Sequence, residues 1–251
     1  MATRQETLPP GTETESSPAA MSLWEHLEEL RGRLLKGLIA LGLTTTVSFA
    51  FGERLIAILA RPIGGVDKLV SIEVTENIGV FMRVSLLAGF ILALPFILYQ
   101  VVAFILPGLT PRERRGLFTA IPAATVLFVL GVLFAYFVML PAALPFLISF
   151  IGIRTTPRLA NYYAFVTNLL FWIGVAFETP LVVYVLARLR LVSPRALAQQ
   201  WRIAVILIAI LAAVITPTPD PVNMTLLMLP LLVLYGLSVL LAFVAVRPSK
   251  S

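Results

Sequence analysis

Six long apolar runs alternate along this chain with short polar intervals that carry most of its arginines and lysines. The runs are residues 34–51, 78–105, 117–140, 162–187, 203–215 and 222–246. A membrane-spanning helix needs about 20 apolar residues, so the pattern predicts an all-α protein with six crossings. The fifth run is the exception in length. At ~1.5 Å per residue it covers about 20 Å, against a hydrocarbon core of ~30 Å. Prolines fall inside several runs: Pro95 predicts a kink or a tilt, Pro122 lies near the start of the third run, Pro180 with Glu178 and Thr179 interrupts the fourth, and Pro230 breaks the sixth. Pro141 is read as the end of the third run. The apolar piece that follows it, residues 142–153, is too short to span and reads as interfacial.

The last polar ground before the first run is residues 22–36, S-L-W-E-H-L-E-E-L-R-G-R-L-L-K. Leu23, Leu27, Leu30 and Leu34 recur at the spacing of one helix face. Ser22 and Glu25 fit a capping box, and Glu25, Glu28 and Glu29 suit a helix N-terminus. The stretch therefore predicts a short amphipathic helix at the membrane surface that feeds the first span. Its acid cluster lies open to a basic partner. Between the first two runs, residues 54–61 are amphipathic, and residues 66–75 read as an extended return segment. Ser193-Pro194 reads as N-cap then N1 of a helix in the fourth interval.

Composition agrees with the pattern. Hydrophobic residues make up 59% of the chain and charged residues 13%, where a soluble domain has roughly 25% charged residues. Mean hydropathy is +0.96. The net charge of +6 is not a nucleic-acid signal, because the basic residues sit between apolar runs, where orientation determinants belong. Arg31, Arg33 and Lys36 precede the first run, Arg112, Arg114 and Arg115 follow the second, Arg188, Arg190, Arg195 and Arg202 follow the fourth, and Arg247 and Lys250 follow the sixth. With six crossings these all fall on one side, which predicts both termini in the cytoplasm. Arg154 and Arg158 on the other side weaken the contrast without reversing it. Cysteine is absent, which excludes thiol chemistry and Cys-ligated metals. Residues 1–20 are polar, lack an apolar signal-peptide core and are expected to be disordered. The expected layout is a polar tail at 1–20, one membrane domain at 21–246, and a cytoplasmic tail at 247–251.

Few residues are equipped for chemistry. Glu178 is read as the ionisable residue well inside a span, at about mid-membrane depth, where a lone carboxylate is costly and marks function by default. The opposing reading is a protonated structural glutamate. Glu113 follows Thr110 and Pro111 in the pattern of N-cap, N1 and N3, so it is either a capping residue or a receptor for an external cation. His26 and Glu29 lie one turn apart, but the chain has no second histidine, so no metal site is expected. Asp220, in T-P-T-P-D-P, reads as a cap for the sixth helix. No catalytic triad, phosphate-binding glycine loop or zinc spacing is present, so no enzyme activity and no cofactor is expected.

Five stretches in order carry a resemblance to a known family: H-L-E-E-L-R-G-R-L at 26–34, P-F-I-L-Y-Q-V-V-A-F-I-L-P-G-L-T-P-R-E-R-R at 95–115, F-A-Y-F-V-M-L-P at 134–141, G-V-A-F-E-T-P at 174–180, and T-P-T-P-D at 216–220. Together they make the chain resemble TatC, the multispanning subunit of the twin-arginine translocase. The resemblance extends over residues 22–246. It implies a concave six-helix bundle with short fifth and sixth helices. It also implies a receptor, in a prokaryotic inner membrane, for the paired arginines of signal peptides on folded cargo. The implied partners are TatA- and TatB-type single-span subunits and further copies of the chain, with transport driven by the proton-motive force. The residues implied at the signal-peptide site are Glu29, Glu113, Arg31 and Phe104, and Glu178 is implied to contact a partner helix. Carboxylates suit this task because they pair with guanidinium in a bidentate geometry that lysine does not reproduce. The competing reading from another class is an ion- or proton-coupled small-solute transporter using Glu178. It calls for more polar groups along a path than the runs contain.

Overall fold

The computed structural model describes residues 23–105, 111–148, 155–216 and 221–246. The order of helices is α1 (Leu23–Phe49), α2 (Gly52–Ala60), α3 (Glu76–Ile105), α4 (Pro111–Phe134), α5 (Leu140–Ile148), α6 (Leu159–Arg188), α7 (Pro194–Gln199), α8 (Trp201–Ile215) and α9 (Pro221–Val246). Among the described residues the extended structure is limited to one isolated bridge, Val70 to Arg158. This is an all-α integral membrane protein. The segments Glu76–Ile105, Gly116–Ile148, Leu159–Arg188 and Met224–Val246 are each long and apolar enough to cross a membrane. Trp24–Phe49 and Gly52–Ile63 meet that test together, bent by 78°.

Four sequence expectations are corrected. The amphipathic stretch and the first apolar run form one uninterrupted helix, α1, of 27 residues. Gly32 and Gly37 lower its propensity by about 1 kcal/mol each but do not break it, and no proline intervenes. The third run does not end at Pro141. A π-turn at Ala135–Met139, in which the Leu140 N–H bonds the Ala135 carbonyl, widens the helix just before the proline ring, and α5 continues to Ile148. Residues 142–148 therefore continue the helix of the third run rather than forming a separate piece after it. Residues 66–75 are not extended throughout: Val66–Lys68 is a 3₁₀ turn and the bridge at Val70 is followed by a turn. Finally, α8 is short at 15 residues, as expected, but α9 has 26. At ~1.5 Å per residue that is about 39 Å, so the sixth helix is not short. Pro230 sits inside it without ending it.

The packing follows the logic of a lipid solvent. Leu34, Leu38, Leu43 and Val47 of α1 are exposed, whereas Ser48 is buried. Thr44 and Thr45 of α1 lie against Gly89 of α3, and Ser48 and Ser85 are buried in the same two helices. A Cβ on Gly89 would lie 2.6 Å from the Thr45 Cα and 2.7 Å from its N. The Thr44 hydroxyl donates to the Gly89 carbonyl at 2.8 Å. Small and hydroxyl residues bring these backbones together where lipid offers no hydrophobic drive. The same device joins α4 to α6, where a Cβ on Gly131 would meet the Gly174 Cα at 2.9 Å.

The end of the bundle near α2 is tied by hydrogen bonds. Three tyrosines from elsewhere donate to carbonyls in the second half of α2, among them that of Ile58, which also accepts from the Arg61 N–H. Tyr163 donates to the Ile56 carbonyl at 2.8 Å, Tyr136 to Ile58 at 2.8 Å, and Tyr162 to Leu59 at 2.7 Å. Beside them the Val70 N–H bonds the Pro157 carbonyl at 3.1 Å and the Leu159 N–H bonds the Val70 carbonyl at 2.9 Å.

Candidate functional site

The candidate site lies at the opposite end, where the start of α1 meets the end of α3. Glu29 sits two turns into α1, half-buried. Its Oε1 accepts from Arg33 Nε at 2.9 Å and also from Arg33 Nη2. Its Oε2 is buried and has no hydrogen-bond partner among the described residues. His26 Nδ1 lies 3.8 Å from it. The His26 ring in turn stacks on Phe104 of α3, with centroids 4.2 Å apart and planes at 17°. Glu29 and Phe104 are thus joined through a histidine. The helical period does this: residues 26, 29, 30 and 33 share one face of α1.

Below this point an apolar groove of about 360 Å³ runs between α1 and α3. Arg33, Leu34, Leu38, Ile97, Val101 and Phe104 border it. The unpartnered carboxylate oxygen therefore lies near one end of an apolar groove, to which Glu29 is joined through Arg33. Such a pair accommodates a cationic group followed by an apolar segment. A buried carboxylate oxygen without a partner is costly, so a guanidinium arriving there meets an unsatisfied acceptor.

The other expected residues are distributed differently. Arg31 is exposed and has no hydrogen bond or ion pair among the described residues, so the structure does not join it to Glu29. Glu113 is the third residue of α4, one short connection after α3, which brings its backbone to the same end of the bundle as Phe104. Its side chain, with Thr110 and Asp220, lies outside the described residues. Pro111 begins α4, as its N1 reading requires. Ser193 caps α7, accepting from the Ala196 N–H at 3.0 Å.

Glu178 is on α6, ten residues before Arg188, or about 15 Å from that end of the helix. Its Oε1 is buried with no hydrogen-bond partner among the described residues. It borders an apolar groove of about 290 Å³ between α3, α4 and α6, with Leu98, Val102, Ile121 and Val182. No second titratable group lines that groove, so the described residues give no relay for an ion-coupled transporter.

Residues 25–230 match the family described as "Sec-independent protein translocase protein (TatC)". The chain belongs to the TatC family. The TatC of Deinococcus radiodurans is 40% identical over 249 residues, covering 94% of this chain and 92% of that one. The TatC of Aquifex aeolicus is 37% identical over 237 residues, covering 92% and 98%. A solved structure described as "Crystal Structure of Twin Arginine Translocase Receptor- TatC" superposes with a TM-score of 0.78 at 36% identity, over 89% of this chain and all of that one.

Three features of this TatC-family chain escaped the sequence reading. His26 was weighed as a metal ligand, and its stacking on Phe104 depends on two helices whose pairing no local pattern reveals. Arg33 was read as an orientation determinant, although its i,i+4 spacing from Glu29 was a visible signal. Arg158, likewise counted for orientation, is a structural clamp. It pairs with Glu73 through Nη2 at 2.6 Å and with Glu76 through Nε, and these two hydrogen-bonded carboxylates hold its guanidinium above the usual arginine range.

Proposed function

We propose that this chain is the receptor subunit that binds twin-arginine signal peptides at the cytoplasmic face of a prokaryotic inner membrane. The observation that supports it best is the buried, unpartnered Oε2 of Glu29, whose ion-pair partner Arg33 borders the α1–α3 groove. One arginine of the peptide takes that oxygen and stacks against the His26–Phe104 pair, while the apolar part of the signal follows the groove toward the membrane interior. Glu113, in the first turn of α4, supplies the second carboxylate. Arg31, exposed on α1, lies outside the groove and acts on the approach of the peptide rather than in its seat. Exposed pairs contribute only ~0–1 kcal/mol each, so the carboxylates supply specificity and the apolar segment supplies most of the affinity. The description of the solved neighbour as a twin-arginine translocase receptor supports the same reading.

In this reading the bundle has six crossings, with α1 and α2 as the bent first and α8 as the short fifth. Both termini lie in the cytoplasm, residues 1–20 and 247–251 are tails, and 21–246 form one domain. Glu178 receives a polar side chain from the single helix of a TatA- or TatB-type partner, and copies of the chain assemble into a larger complex without any catalysis of their own. A carboxylate with no internal partner in an apolar groove is suited to such a contact.

The test is photo-crosslinking of a twin-arginine signal peptide to the protein in membranes, for wild type, Glu29→Ala and Glu113→Ala, with a twin-lysine peptide as control. Loss in both variants and with twin lysine is expected. Full crosslinking in both variants, with insertion confirmed, would place recognition elsewhere. Because the chain has no cysteine, single introduced cysteines report the side of each interval directly. Labelling of residue 31 or 114 from outside the cell would reverse the orientation.

A further inference from the structure

Arg83 lies inside α3, seven residues after Glu76, or about 10 Å along the axis from the end of the helix that faces away from Glu29. Helix α3 has 30 residues, about 45 Å against a hydrocarbon core of ~30 Å, which leaves about 7 Å at each end of a centred helix. Arg83 therefore leaves the backbone close to the hydrocarbon boundary. It is exposed, and no carboxylate among the described residues lies within ion-pair distance of it. An arginine so placed needs an anion at the depth of the lipid phosphates.

The space beside it is shaped to receive one. A notch of about 310 Å³ opens between α3 and α6, walled by Gly79, Ala160 and Ala164 and bordered by Glu76, Arg83 and Asn161. The small residues make the room, and a Cβ on Gly79 would meet nothing within 4 Å. The polar borders are underused. Asn161 has no hydrogen bond among the described residues, and Glu76, whose side chain is 3% exposed, keeps Oε2 without a partner. The charges nearby balance: Glu73 and Glu76 are set against Arg158 and Arg83. A plain anion would meet the Glu76 carboxylate as well as the arginine. A head group carrying both signs satisfies both.

We propose that this notch is a phospholipid site that holds a phosphoethanolamine head group, with Arg83 pairing the phosphate diester and the ammonium lying toward Glu76. The two acyl chains then lie along the lipid-facing sides of α3 and α6. The depth of Arg83 selects a lipid over a free phosphate, because the notch opens at the membrane edge.

The test is native mass spectrometry of the purified full chain with phosphatidylethanolamine, phosphatidylglycerol or phosphatidylcholine of matched acyl chains. Wild type is compared with Arg83→Gln, Arg83→Lys and Gly79→Leu, the last filling the notch without changing charge. Wild type should retain phosphatidylethanolamine at least ~5-fold better than Arg83→Gln and Gly79→Leu, with Arg83→Lys between, because lysine keeps the charge and loses the guanidinium fork. Equal retention by wild type and Gly79→Leu would overturn the site. Retention of phosphatidylglycerol as good as that of phosphatidylethanolamine would overturn the ammonium contact. Displacement of the lipid by millimolar inorganic phosphate would overturn the choice of a lipid.

Discussion

Gly89→Ala is the sharpest test of how α1 and α3 are held together. The added Cβ would lie 2.4 Å from Thr45 Oγ1, 2.6 Å from its Cα and 2.7 Å from its N. Two of these three atoms are backbone, so no rotamer change relieves the contact, and α1 must move away from α3 by about 1 Å to restore ordinary van der Waals spacing. Overpacking of this kind costs about 1–3 kcal/mol, and the better helix propensity of alanine returns up to ~1 kcal/mol. The Thr44 hydroxyl bond to the Gly89 carbonyl, now 2.8 Å, lengthens as well. A net loss of roughly 1–2 kcal/mol corresponds to a fall in melting temperature of about 2–8 °C for a chain of this size. Thermal stability in detergent, followed by size-exclusion chromatography, measures it. The control is Gly42→Ala on α1, whose Cβ meets nothing within 4 Å and which should be neutral or slightly stabilising. Because α1 also carries Glu29 and His26, Gly89→Ala should weaken peptide crosslinking while leaving every site residue in place. A Gly89→Ala protein as stable as wild type, with unchanged crosslinking, would refute the close approach of α1 and α3.

Three further outcomes are expected. Glu178→Leu removes an unsatisfied buried oxygen, and should raise the thermal stability of the isolated protein by about 1–3 kcal/mol while abolishing crosslinks to a partner helix; a drop in stability would mean that the carboxylate has an internal role. Tyr162→Phe leaves the Leu59 carbonyl without its donor and should cost roughly 0.5–1.5 kcal/mol, read by the same melting assay, with Tyr163→Phe behaving alike through Ile56. Arg158→Lys should not preserve the clamp, since one ammonium does not reproduce the fork that serves Glu73 and Glu76; faster amide exchange at Val70 and Leu159 relative to wild type is the readout, and unchanged exchange would show that the backbone bridge holds without it.

The pattern of apolar runs determined much of this protein by itself. Spanning helices need length and apolarity within one segment, and both are local properties, so the cores of α3, α4, α6, α8 and α9 were legible from their runs. The family resemblance named Glu29, Phe104, Glu113 and Glu178 as candidates, and of these the structure joins Glu29 and Phe104 through His26. Helix ends were less so. Pro141 reads as a terminator in one dimension, and the π-turn before it accommodates the ring only because of backbone geometry that no pattern displays. The relations between segments were decided by the tertiary structure alone. Thr44 and Thr45 look like a polar flaw in a span until α3 brings Gly89 against them. Arg158 is 82 residues from Glu76, and His26 reaches Phe104 only because α1 and α3 pack side by side. Sequence fixes which face of a helix carries small, polar or apolar groups through a period that one helix sets. Which other face it meets depends on distances between helices, and in lipid those distances are set by close packing and hydrogen bonding rather than by apolar patterning.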